Sequence, residues 1–180
     1  MIAGGSFISG NVSTKVSESD KEILQALLNG LNPQKVFFVV GHKLSGHEKY
    51  IVEHNKGFEI YAIIPALMDM KQMKRLLKAN MRGVRISTES QEMGIYKSFN
   101  YEISERRNCV LFAFDGNLSI ANLVQEARNG KGKARIFIYP NSAMLKAKAD
   151  SLQGYVTVGA SKEEVLGKIY EIENNIGTKL

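Results

Sequence analysis

The chain has 180 residues, 44% apolar and 23% charged, the balance of an ordinary globular protein, which excludes wholesale disorder. No apolar run approaches the ~20 residues that span a bilayer, the start lacks the basic–apolar–small order of a secretory leader, and the single cysteine, Cys109, excludes an internal disulfide and suits a reducing compartment, so the chain reads as cytoplasmic. Its net charge of +6 is spread over helices and their ends without a basic block interleaved with aromatics, so neither nucleic acid nor a membrane is the expected partner.

Taken in order, the chain alternates strand and helix patterns. Ile2-Ala3 leads into the small-residue turn Gly4-Gly5-Ser6, and Ser19-Asp20-Lys21-Glu22 reads as a capping box. Ile23, Leu24, Leu27 and Leu28 recur at helical spacing until Asn29-Gly30. A strand is expected over 36–40, a helix from Gly46 to about Asn55, and a strand over 59–64 stopped by Pro65. A Met70/Met73/Leu76/Leu77 stripe predicts a core-facing helix, followed by a short strand near 84–86 and a helix from about Ile95 to Arg107. Strand 109–114, helix 119–129 and strand 134–139, stopped by Pro140, come next. A strand near 155–158 and a helix opened by the capping box Ser161-Lys162-Glu163-Glu164 end the series.

Strands alternating with helices of this length indicate βαβ units, and runs such as 109–114, apolar throughout, fit strands buried on both faces. With no linker, repeat or low-complexity segment, the expectation is α/β: a single doubly wound, mainly parallel sheet over 1–180, with helices on both faces, Rossmann-like.

In such a sheet the turns after strands gather at the carboxyl edge, where helices begin and anions are held. Three turns qualify: Gly4-Gly5-Ser6, Gly41 to Glu48, and Asp115-Gly116-Asn117-Leu118-Ser119. Neither GxGxxG nor GxxxxGK[ST] is met. Gly41 and Gly46 bracket a polar loop, and Glu48 falls in the first helical turn, where the dipole favours a carboxylate; simple helix-end charge compensation is the plain alternative. Asn100 sits mid-helix, where asparagine is a poor former, and Asp115-Gly116 is either a polar reader of ribose or base or an ordinary turn. Ser119 is a candidate cap on the helix that carries Glu126. His42, His47 and His54 do not form HExxH, and a loop metal site from His42, His47 and Glu48 is the weaker alternative, so no metal and no cofactor are expected. Cys109 reads as packing and no GxSxG elbow exists.

The order of these segments resembles the SLOG superfamily, which includes the LOG-type phosphoribohydrolases, DprA and the YpsA-like proteins. Ile2-Ala3-Gly4-Gly5-Ser6, then Phe38-Val39-Val40-Gly41 with Gly46-His47-Glu48, then Ala62-Ile63-Ile64-Pro65, and lastly Asn100 with Val110–Phe114 and Asp115-Gly116-Asn117 carry it. The resemblance implies a nucleotide or nucleotide-sugar site lined by Gly4, Gly5, Ser6, Gly41, Gly46, Glu48, Asn100, Gly116, Asn117 and Ser119. The PGGxGTxxE signature of the LOG enzymes is absent: Ser119-Ile120 stands where Gly-Thr is expected. Nucleoside 2-deoxyribosyltransferases open in a similar way. Two functions are therefore expected. The first is binding of a nucleotide-type small molecule, which admits a homodimer. The second is cleavage or transfer at an N-glycosidic bond, with Glu48 or Glu126 at the sugar and Asp115 assisting proton transfer.

Overall fold

A computed structural model describes residues 1–4, 6–8, 11–13, 15–41, 44–64, 83–86, 108–115, 118–129 and 134–176; of these, 6–8, 11–13, 63, 64, 83–86, 118, 119, 175 and 176 are described by backbone alone. Strand β1 (Ile2–Ala3) is followed by β2 (Ser6–Ile8), β3 (Asn11–Ser13) and helix α1 (Glu18–Gly30). Then come β4 (Phe37–Gly41), α2 (Gly46–Glu53), β5 (Glu59–Ile64), β6 (Gly83–Ile86) and β7 (Val110–Ala113). The chain continues through α3 (Leu118–Asn129), β8 (Arg135–Ile138), α4 (Ala143–Ser151), β9 (Thr157–Val158) and α5 (Lys162–Ile176).

The architecture is α/β with mainly parallel sheet. One four-stranded sheet runs β1-β7-β8-β9 and one three-stranded sheet runs β4-β5-β6, with every pairing in both parallel. β1 lies against β4, so the two sheets meet at these strands. β2 and β3 form a separate antiparallel hairpin.

Strand alternation divides the core. Ile2, Phe112 and Phe137 face one way and pack with Leu24, Leu27 and Leu28 of α1, Ile51 of α2 and Val165 and Ile169 of α5. Ala3, Leu111, Ala113, Ile136 and Ile138 face the other way and pack with Leu123, Val124 and Ala127 of α3 and Leu145 and Ala149 of α4. Burial of Leu111–Ala113 in β7 and Ile136–Ile138 in β8 on both sides is what these apolar runs demand. Among the described residues no helix is long and apolar enough to cross a membrane.

Most expected elements stand within two or three residues of their sequence limits, and the differences have local causes. Ser17, two residues ahead of the expected cap, accepts a hydrogen bond from the Asp20 N–H and starts α1. The Ser161 box forms as expected: the Ser161 N–H donates to Glu164 at 2.8 Å, and the Glu164 N–H donates back to the Ser161 hydroxyl at 3.3 Å. Helix α4 has no counterpart in the sequence reading, because only Leu145 and Ala149 of its nine residues are buried and the apolar period is faint. The first glycine turn enters the β2–β3 hairpin instead of a helix. The strand expected over 155–158 shortens to two residues, with Tyr155 exposed. The Met70–Leu77 helix and the helix from Ile95 to Arg107 lie outside the described residues.

Candidate functional site

The loop between β4 and α2 decides where Glu48 points. Leu44 and Gly46 both take left-handed backbone, with φ of 47° and 54°, and this folds the first turn of α2 back on the end of its own strand. The Glu48 carboxyl lands on Gly41 and accepts a hydrogen bond from that residue's N–H. A Cβ at position 41 would lie 3.0 and 3.1 Å from the two carboxyl oxygens, which explains the glycine. Glu48 is 9% exposed. Burial pushes its pKa from 4.5 up to about 8, against the opposing pull of the Gly41 hydrogen bond. The sequence expectation of a carboxylate favoured by the helix dipole is thereby corrected: the loss of hydration outweighs the helix end, and the group holds its proton at neutral pH.

His47, one position earlier, points to a different neighbourhood. Its Nε2 is 2.8 Å from Oδ2 of Asp20, and each residue is 3% exposed. The ring stacks on Phe114 at 4.6 Å between centroids, and Phe114 stacks on Tyr139 at 4.9 Å. A Cβ at Gly4 would meet the His47 ring at 2.6 Å, so only glycine lets β1 end here. Nδ1 of His47 is buried with no hydrogen-bond partner among the described residues. With Asp20 accepting at Nε2, that nitrogen carries a ring hydrogen, and Nδ1 faces Gly4. Asn141, just past β8, closes the cluster: its amide N–H groups donate to Asp20 Oδ2 at 2.7 Å and to the Phe114 carbonyl at 2.9 Å. One buried carboxylate thus ties together the start of α1, the start of α2 and the ends of β7 and β8.

Beside this cluster lies a cavity of about 400 Å³, lined by residues from the start of α1, the end of β8 and the segment entering α5; Asp20, Tyr139, Asn141 and Ser161 are among them. Tyr139 donates its hydroxyl to the Ala160 carbonyl at 3.0 Å, and burial raises its pKa, so it stays protonated.

Gly4, Gly41, Gly46 and Glu48 are therefore brought together at the ends of β1 and β4. Asp115 follows Phe114 and is half-buried. Ser6 opens β2 and Ser119 is the second residue of α3, both known by backbone alone. Glu126 is exposed in the third turn of α3, a helix packed across the sheet from α2, so it does not pair with Glu48. Gly5, Asn100, Gly116 and Asn117 lie outside the described residues, as does His42 of the considered metal loop. Among the described residues no group of three His, Cys, Asp or Glu is arranged to hold a metal.

Sequence reasoning missed Asp20, Asn141 and the role of His47. The available signal was the true cap: with Ser17 as N-cap, Asp20 occupies the third helical position, where a capping-box acid normally returns to the cap. Here it turns inward instead. Compared with protein-family models, with curated proteins and with solved structures, the chain finds no match.

Proposed function

We propose that this protein binds a nucleotide or nucleotide-derived small molecule at the carboxyl ends of its parallel strands. The observation that carries the reading is the cavity of about 400 Å³ onto which the N-terminal ends of α1 and α5 open, with the buried residue Asp20 in its lining. Sites in open α/β sheets occupy this edge, where strand ends and helix starts converge. The reading includes one doubly wound sheet in the order β6-β5-β4-β1-β7-β8-β9, supported by the contact of β1 with β4 and by the two apolar layers. It also includes membership of the SLOG superfamily, supported by the convergence of Gly4, Gly41, Gly46 and Glu48.

A thermal-shift series with adenine nucleotides, ADP-ribose and cyclic nucleotides tests it. Ligand at 100 times its dissociation constant adds roughly 2.7 kcal/mol, which in a chain of this size raises Tm by roughly 5–10 °C. No shift with any of them at millimolar concentration refutes the proposal.

One observation favours a second reading, chemistry at an N-glycosidic bond. A carboxyl that keeps its proton up to about pH 8 is suited to protonate a departing base, not to supply the negative charge that stabilises the sugar cation. Glu48 is then the acid. Release of free base from nucleoside monophosphates, abolished by Glu48→Gln, is the expected result, and activity that survives the substitution rules Glu48 out.

A further inference from the structure

We propose that the cavity between the starts of α1 and α5 is a sugar pocket, taking the neutral vicinal diol of a pentose on Asp20 and the carbonyl oxygen of Asn141. The proposal rests on the nucleotide reading and states which part of the ligand lies here.

The hydrogen bonds already made in the cavity walls determine what a ligand must bring. Both bonds to the Asp20 carboxylate, from His47 and from Asn141, fall on Oδ2, which leaves Oδ1 to a ligand. The Asn141 amide donates to Asp20 and to Phe114, which leaves its own carbonyl oxygen. Three donors in the wall are already engaged: the Tyr139 hydroxyl on Ala160, the Gly159 N–H on Ile138, and the Ser161 N–H on Glu164. Glu22 and Glu163 add two more carboxylates to the lining, against one cation among the described residues, Lys162. The side chains on this surface are mostly acceptors, which favours a ligand that donates.

Charge then selects among donors. An ammonium group would face the positive ends of two helices, and a phosphate would face three carboxylates. A pair of neutral hydroxyls meets neither repulsion, and adjacent hydroxyls on a five-membered ring suit a carboxylate oxygen beside an amide carbonyl. Ile23 and Pro140 supply apolar wall for the ring, and about 400 Å³ is within the size range of small-molecule sites.

The test is calorimetric titration of the unmodified protein with adenosine and uridine, their 2′-deoxy and 3′-deoxy forms, D-ribose, methylamine and inorganic phosphate. A ribonucleoside is expected to bind, with each deoxy form at least about tenfold weaker, because the polar groups built for the missing hydroxyl are left unpaired. D-ribose is expected to bind weakly, and methylamine and phosphate not to compete with it. Asp20→Asn, where it folds, is expected to bind ribo and deoxy forms alike; the analogue series needs no variant and decides the matter if it does not fold. Equal affinity for ribo and deoxy forms overturns the sugar pocket and leaves the nucleotide reading intact, and competition by phosphate or methylamine overturns it too. Binding of D-ribose without any nucleoside or nucleotide supports the pocket and removes the nucleotide reading. If none of the probes binds, the sugar pocket falls, and the nucleotide reading stands or falls with the thermal-shift series.

Discussion

Replacing Glu48 by Gln separates the burial of this side chain from every other contribution to stability. A carboxyl whose pKa rises from 4.5 in the unfolded chain to about 8 in the folded one contributes its full stability below pH 4.5. It loses that contribution as the pH rises, because the unfolded chain releases a proton that the folded chain must keep. The loss runs at ~1.4 kcal/mol per pH unit, reaches about 3 kcal/mol at pH 7 and ends near 5 kcal/mol above pH 8. These are upper figures, since water reaching the site lessens the cost of charge. Glutamine keeps the shape and an acceptor for the Gly41 N–H and does not titrate. Urea unfolding of both proteins at half-unit intervals from pH 4.5 to 9 should show the variant gaining on the parent steadily up to pH 8 and then holding a constant lead. A loss of this size is a large share of the ~5–15 kcal/mol that keeps a domain folded. A stability difference independent of pH would falsify the account and would place the Glu48 carboxyl against a cation or water.

Gly4→Ala should cost about 2–3 kcal/mol in urea midpoint measurements, since the new methyl meets the rigid His47 ring at 2.6 Å; an unchanged midpoint means the ring is free to turn away. His47→Ala should be more damaging, about 3–5 kcal/mol, because it leaves the Asp20 carboxylate buried with one of its two partners gone. Asn141→Ala should cost about 1–3 kcal/mol by the same logic, and double-mutant cycles with His47→Ala should show strong coupling through Asp20. Ser161→Ala should remove about 1 kcal/mol from α5. It should also bring the Glu164 pKa, lowered first by the Ser161 N–H and then by its hydroxyl, part of the way back up in an NMR titration, since alanine keeps the N–H; because a depressed carboxyl stabilises at neutral pH and loses that effect in acid, the variant should be somewhat less sensitive to acidification.

The layers of the fold were legible because β4, β5, β7 and β8 are short apolar runs bounded by glycine, proline or polar turns. The helical stripes of α1 and α5 repeat every three to four residues. Helix α4 escaped because lysines at 146 and 148 and small alanines blur its period, and the cap at Ser17 escaped because Ser19-Asp20-Lys21-Glu22 offers a rival match two residues on. The meeting of Gly4, Gly41 and Gly46 was readable from turn chemistry after strands. The Asp20–His47–Asn141 cluster was not, since its members are separated by 27 and 121 positions and only the folded sheet edge makes them neighbours. Nor did position alone reveal the proton on Glu48. A helix start argues for an anion, and only the depth of the side chain reverses that.

Strand β9 has a consequence for how the molecule behaves in a crowd. It closes one margin of the four-stranded sheet with two residues only, where sheet strands commonly run to five or six. A visiting chain could zip onto this margin for little more than a residue or two before reaching Gly159 and the start of α5. Fibril-like growth from this side is therefore starved of template.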